Sequence, residues 1–375
     1  MKLTKIAKLA VAVILLSWGV LAFIPVRCAV LAQSSGDSSL VDVHIGVLGL
    51  FHPTQFTVST SRDSALVLRA DEERIVIEKS SGIDSASIRV SGNDLEVSVG
   101  IRVVRASKLA VNGRNAQPVD FVLAVPGKIA RRYHGTLEIK PSSGTLTAVV
   151  AMNHETAVAS VVAAENTPET PFEALEAQAV AARSYFVASH GRHQGFDFCD
   201  TTHCQFLREP PAPQSAAARA VAATRDLVLA YDFQPIAALY TRSCGGRTRT
   251  PAEVGLSSAS YPYYSVDCPY CRSHPVRWSS RISARDAAAL QTPNEPARLK
   301  IDRRLGWSAV PSNDFVAKKE SDQIILNGRG EGHGIGLCQS GARAMAEDGA
   351  DFRQVLTHYY PNTTIVPWPG SNSIQ

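Results

Sequence analysis

The sequence predicts an α+β protein, with a β-rich amino-terminal part followed by a mixed α+β region. Three observations carry that prediction. Between Val41 and about Val150, apolar and polar residues alternate in short runs separated by Gly, Asn, Asp and Ser, the period-two pattern of half-buried antiparallel strands. After residue 150 the runs lengthen and become alanine-rich, as in helices. Further along, strand-like and helix-like runs are interspersed, with no internal repeat and no long low-complexity tract.

The elements follow in order. Lys2, Lys5 and Lys8 precede the uncharged stretch Leu9–Val26, and Val30-Leu31-Ala32 offers a cut before Gln33. Residues 1–32 therefore read as a signal peptide, with an uncleaved signal anchor as the alternative, because the stretch is long for one and short for the other. Pro25-Val26-Arg27 argues against lipidation at Cys28. Residues 33–40, QSSGDSSL, form a polar linker. In the β-rich region 41–150, Val41-Val43-Ile45, Ile75-Ile77, Ile88-Val90 and Leu95-Val97-Val99 are expected strands, and Leu137–Val150 continues them.

Region 151–375 opens with an expected helix over Glu155–Glu165, stopped by Asn166-Thr167-Pro168. A second helix is expected to start at Thr170, with Thr170 as cap, Pro171 in the first helical position and Glu173 closing a capping box. It should run to about His190. Pro213–Thr224 predicts a helix, Leu227–Tyr231 and Ile236–Tyr240 predict strands, and Thr292–Arg298 reads as a loop. Gln323–Asn327 predicts a strand, while Leu337–Glu347 and Phe352–Tyr359 predict helices.

The net charge of +4 resides in the leader, which holds Lys2, Lys5, Lys8 and Arg27 and no acid; residues 33–375 carry 34 basic and 34 acidic side chains. With no basic block, the chain lacks the electrostatic footprint of a nucleic-acid partner. Membrane contact is expected only through an uncleaved anchor. The seven cysteines become six without Cys28, and an even count in an exported chain favours disulfides. His193, Cys199, His203 and Cys204 bring thiols and imidazoles to a spacing that suits zinc, with a Cys199–Cys204 disulfide as the competing reading. Either arrangement would order the surrounding loop. Cys244, Cys268, Cys271 and Cys338 read as two disulfides or a second site; the lone Cys268-Pro269-Tyr270-Cys271 spacing does not decide.

Three segments then carry a resemblance. They are Phe172–Tyr185 (FEALEAQAVAARSY), Tyr240–Gly246 (YTRSCGG) and Gly328–Ala342 (GRGEGHGIGLCQSGA), followed by HYYPNTTIV at the end. Over roughly Gly135 to Val366 the chain resembles the stage II sporulation protein D / LytB family, cell-wall proteins whose enzymatic members are lytic transglycosylases. The resemblance implies an exported protein whose partners are peptidoglycan glycan strands and, in some relatives, a cell-wall amidase. It implies Glu165 as catalytic acid. The residues offer an independent reason: Glu165 ends the uncharged stretch Thr156–Ala164, and an apolar setting together with a helix C-terminus raises a carboxylic acid's pKa. Glu169, Glu173 and Glu176 are the rival acids.

The glycine-rich segment permits unusual backbone angles and close ligand approach, and it lacks the Gly-Lys-Ser/Thr of a phosphate loop. His333 and Gln339 are its polar groups, expected to line a substrate groove with Tyr240 and Ser243. The alternative for His333 is a purely structural role in the turn. The resemblance further implies structural zinc on His193, Cys199 and Cys204, with His203 as the alternative nitrogen donor, and no cofactor needed for catalysis. The sequence departs from the family in four places. Asn166-Thr167-Pro168 replaces Met-Pro, Glu331 and Ser340 replace aromatics, and Glu176 stands where lysine is frequent. Two further functions compete with the transglycosylase: a non-catalytic binder that enhances an amidase, and a zinc-dependent peptidoglycan hydrolase.

Overall fold

The computed structural model describes residues 42–368 apart from 62, 63, 190, 192, 258–260, 291, 292, 321 and 322. The leader, the linker and Val41 lie outside the described residues. The α+β class is observed, with strands dominating up to Met152 and helices beginning at His154.

Among the described residues eleven strands fill the β-rich part: β1 (Val43–Val47), β2 (Gln55–Thr60), β3 (Leu66–Ala70), β4 (Glu73–Ile77), β5 (Ser85–Ser91), β6 (Asp94–Val99), β7 (Arg102–Ala106), β8 (Leu109–Asn112), β9 (Val119–Val125), β10 (Ile129–Ser142) and β11 (Thr145–Met152). They pair in the order β1-β11-β10-β9-β2-β5-β6-β7, and β8 joins β10 to the β3–β4 hairpin. Alternation sets the register. On β11 every second residue, from Leu146 to Met152, is buried, and on β6 Leu95, Val97 and Val99 point inward. Each such side chain contributes roughly 1.5–3 kcal/mol by leaving water, and a slip by one residue would expose the whole set. A further short strand, β12 (Phe198–Cys199), adds in parallel to the free edge of β1.

Helix α1 (His154–Glu165) follows β11 directly, with the Asn153 side chain accepting from the Glu155 N–H at its start. Helix α2 (Phe172–Ala188) buries fourteen of its seventeen residues, as expected of a helix packed on all sides. Leu175, Ala179, Ala182 and Phe186 join the core under the sheet, while Ala177, Val180 and Ala181 join a second core with Leu337, Val355 and Tyr359. Alanine lets both cores approach the same helix. Arg183, fully buried, clamps the Glu155 carboxylate at 2.7 Å through both Nε and Nη2 and also donates to the Leu227 and Val221 carbonyls.

The predicted capping box at α2 does not form. Pro171 occupies the cap position, and the Glu173 carboxylate accepts instead from the Phe352 N–H at 2.8 Å. After α2 come α3 (Ala216–Ala223), β13 (Leu227–Tyr231), β14 (Gln234–Pro235) and β15 (Tyr240–Thr241). Of the predicted strand Ile236–Tyr240 only Tyr240 is in a strand; β14 ends just before it, at Pro235. Next are the short helices α4 (Pro269–Ser273) and α5 (Ala284–Ala288). The predicted loop Thr292–Arg298 instead contains the start of helix α6 (Glu295–Leu305). Its prolines misdirect the reading: Pro296 sits in the first turn, where a missing N–H costs nothing, and the Asn294 side chain caps by accepting from Ala297. Strands β16 (Arg277–Ser283), β17 (Phe315–Glu320) and β18 (Gln323–Arg329) form a small sheet that shares a core with α6. Leu337–Glu347 divides into strand β19 (Leu337–Cys338) and helix α7 (Gln339–Glu347); α8 (Phe352–Tyr359) and β20 (Thr364–Pro367) complete the order. Among the described residues no helix is long and apolar enough to cross a membrane.

Candidate active site

A cleft of about 350 Å³ opens where α1 ends, β15 and the glycine-rich segment pass, and α6 closes the far wall. Glu165, the last residue of α1, lines it together with Tyr240, His333 and Gln339. The helix ends there because Asn166 turns extended, its side-chain amide donating to the Val162 carbonyl at 2.9 Å.

Glu165 is the chemically distinctive group. Burial pushes its carboxyl up to about 7, opposed in part by a hydrogen bond from Gln339 and by the charge of Arg242. Gln339 Nε2 lies 3.5 Å from Glu165 Oε2 and 3.4 Å from Gln178 Oε1. Such a carboxylic acid holds a proton near neutral pH and can release it. The rival acids stand elsewhere. Glu169 is exposed and Glu173 is tied to Phe352. Burial and the neighbouring Glu173 also push Glu176 up to about 7, but it does not line the cleft.

His333 is held by its own turn, since its Nδ1 accepts from the Ile335 N–H at 3.0 Å; a neutral ring therefore carries its proton on Nε2. Burial lowers its pKa, against the charge of Glu295. The Tyr240 hydroxyl donates to Gln205 Oε1 at 3.0 Å, and Gln205 Nε2 donates to the Ala182 carbonyl on α2. Ser243 is not brought to the cleft: it is buried, with its Oγ 3.5 Å from Cys271 Sγ. Glycine is required within the segment that frames these groups. Gly332 and Gly336 have φ of 97° and 70°, and a Cβ would meet Thr241 Oγ1 at 2.5 Å and the Leu239 carbonyl oxygen at 2.0 Å.

The chain is similar to several known proteins. The family model described as stage II sporulation protein matches residues 142–231, which hold α1, α2 and the Cys/His cluster. An uncharacterized protein of Brachyspira hyodysenteriae is 30% identical over 269 residues, 63% of this chain and 73% of that protein. The stage II sporulation protein D of Bacillus amyloliquefaciens is 28% identical over 253 residues, 56% of this chain and 72% of that one. The amidase enhancer of Bacillus subtilis is 25% identical over 274 residues, 52% of this chain and 38% of that protein. The chain belongs to the stage II sporulation protein D / LytB family.

In this family member the far wall of the cleft comes from residues the sequence reading passed over. Arg298 of α6 forks onto Glu295 at 2.6 and 2.7 Å and onto Asp302 at 2.8 Å, all buried, and Asn313 donates to Glu295 at 2.7 Å. The i, i+3 and i+4 spacing of Glu295, Arg298 and Asp302 was the available signal. Trp307, half exposed just past α6, lines the same wall. Its ring supplies an aromatic face on the cleft, which the segment holding Glu331 and His333 also lines. Glu331 itself pairs with Arg242 at 3.2 Å.

His193, Cys199, His203 and Cys204 converge, their ligand atoms all within 4.8 Å of one another. His193 Nε2 lies 3.1 Å from Cys204 Sγ, while His203 Nδ1 is 3.6 Å from Cys204 Sγ and 3.8 Å from Cys199 Sγ. Both sulfurs are free of disulfide bonds. The donor set fits zinc. Cys204 borders the cleft, and the next residues, Gln205 and Phe206, line it too.

Proposed function

We propose that this protein cuts the glycan strands of peptidoglycan without hydrolysis, leaving 1,6-anhydro-muramic ends, with Glu165 as general acid and then base. The observation that carries the reading is the half-buried Glu165 carboxyl in the cleft wall, whose pKa desolvation raises to about 7. Protonated Glu165 gives its proton to the glycosidic oxygen as the bond from muramic C1 breaks. The sugar's own 6-hydroxyl oxygen then bonds to C1, and its proton passes to the Glu165 carboxylate, which restores the acid. The nucleophile is intramolecular, so no second carboxylate is needed to activate water. That suits a cleft whose other acids, Glu295 and Glu331, are each engaged by an arginine. Gln339 orients the carboxyl, and Tyr240, His333 and Trp307 offer surface to the sugars. Zinc on His193, Cys199 and Cys204 would lock the loop that delivers Gln205 and Phe206. Such a substrate requires export to the cell wall.

A second reading has one specific support, the relative named amidase enhancer: binding of glycan in the same cleft without cleavage, in the service of an amidase. Mass spectrometry of products from peptide-free glycan strands separates the two. Anhydro-muramic ends made by the unaltered chain and absent with Glu165→Gln are expected. Ends carrying added water would indicate a hydrolase and direct attention to Glu331 and the zinc site. Intact strands, together with amidase stimulation by both proteins, would favour the second reading.

A further inference from the structure

Cys244, Cys268, Cys271 and Cys338 come from three distant parts of the chain: the turn after β15, the start of α4, and the end of β19. Their sulfurs lie within 4.8 Å of one another, all four residues are buried, and none is in a disulfide. Cys271 Sγ is 3.5 Å from Cys338 Sγ. A tetrahedral ion with metal–sulfur bonds of about 2.3 Å sets its sulfurs about 3.8 Å apart, so four thiolates at this separation enclose one ion. Two disulfides would instead require two bonded pairs with sulfurs about 2.05 Å apart.

The surroundings are built for thiolates. The Cys244 N–H donates to Cys338 Sγ at 3.3 Å. The Ser243 hydroxyl is 3.5 Å from Cys271 Sγ, and the Tyr359 hydroxyl is 3.4 Å from Cys268 Sγ. Donors around the ligand sulfurs are the usual outer shell of a metal site. Gly341 makes room for one of them, because a Cβ there would stand 2.6 Å from Cys268 Sγ. Four buried thiols, with hydroxyl and amide donors facing three of them, are arranged to hold negative charge that a bound cation would offset at this depth.

We propose that these four cysteines form a second metal centre, a structural zinc tetrathiolate separate from the Cys/His cluster. The ion ties the Ser243–Gly246 turn, α4 and β19 into one unit, and so fixes where α7 begins. Its first residue, Gln339, is the one that reaches Glu165. Zinc fits because a closed set of four protein ligands leaves no open position for chemistry. Each thiol gives up its proton on binding, so the site releases its ion as pH falls.

The test uses the full chain purified without added reductant or chelator. Metal is counted by mass spectrometry, and cysteines are alkylated after denaturation with a chelator, with peptide mapping to separate the two clusters. The expected result is zinc bound and all four cysteines alkylated without reductant. Four cysteines that react only after reduction would mean two disulfides and overturn the proposal. So would four reactive cysteines with no metal retained beyond that of the Cys/His cluster. Iron in place of zinc would overturn the choice of ion. X-ray absorption on a Cys199→Ser/Cys204→Ser variant should then show four sulfurs at about 2.3 Å and no nitrogen. In that background Cys271→His should keep the ion with three sulfurs and one nitrogen. If the background variant does not fold, the metal count and peptide map of the unaltered chain decide alone.

Discussion

Cys338 and Gln339 are consecutive, yet the first joins the four-cysteine cluster while the second places its amide 3.5 Å from the Glu165 carboxylate. The position of the hydrogen bond that tunes the acid is thus set by the packing of a buried sulfur one residue away. That bond favours the ionised form of Glu165 and works against burial. Activity should therefore fall as pH rises through about 7, the value to which Glu165 is pushed. Gln339→Ala should move that falling limb upward, because the donor to the charged form is gone. PH–rate profiles of the two proteins on glycan strands check this; an unmoved limb would detach Gln339 from the acid.

Glu165 also makes a stability prediction. Its folded pKa of about 7 exceeds the ordinary 4.5. Between those values the unfolded chain ionises and the folded one does not, so stability declines as pH rises, and the full penalty applies above 7. Glu165→Gln removes the penalty. It should be more stable than the unaltered chain at pH 8 by up to about 3 kcal/mol, with little difference at pH 4. Urea unfolding at the two pH values measures it.

Trp307 stands half exposed on the cleft wall. Aromatic contacts are worth about 0.5–1.5 kcal/mol beyond area burial. Trp307→Ala should accordingly raise KM about twofold to tenfold while leaving the pH profile unshifted. Steady-state kinetics on strands of defined length would show it; an unchanged KM would mean that sugars do not reach this face.

Arg298 neutralises two buried carboxylates at once. Arg298→Met leaves Glu295 and Asp302 buried without their cation, a loss on the order of 3–5 kcal/mol. Thermal unfolding should register a large drop in midpoint, and glycan cleavage should fall with the collapse of the far wall. A midpoint within a few degrees of the parent would refute the clamp.

The legible part of this molecule was what rests on local pattern. Alternation marked most of the strands of the β-rich part, and alanine-rich runs marked α1 and α2, because burial on one face or on all faces leaves a direct imprint on residue order. Glu165 at the end of the uncharged stretch Thr156–Ala164, and the glycines that need positive φ, were visible for the same reason. What stayed hidden depends on long-range meetings. Glu295 and Arg298 lie behind Pro293 and Pro296, which resemble a loop until tertiary packing shows a capped helix. Ser243 sits two residues beyond β15 and looked like a cleft residue, yet its turn carries it to Cys271. Cys244, Cys268, Cys271 and Cys338 lie up to 94 residues apart, so their spacing left two disulfides and a second site equally open, and only their convergence separates the two.

The pairing of β12 with β1 has a mechanical side. Val43 begins β1, whose hydrogen bonds run to β11 on one edge and to β12 on the other. Tension applied to the chain ahead of Val43 would load both sets of bonds in shear, and β12 ends at Cys199. A pull from that end would load the Cys/His cluster through β12 and α1 through β11, so that the loop beside the cleft and the helix ending at Glu165 would share the strain.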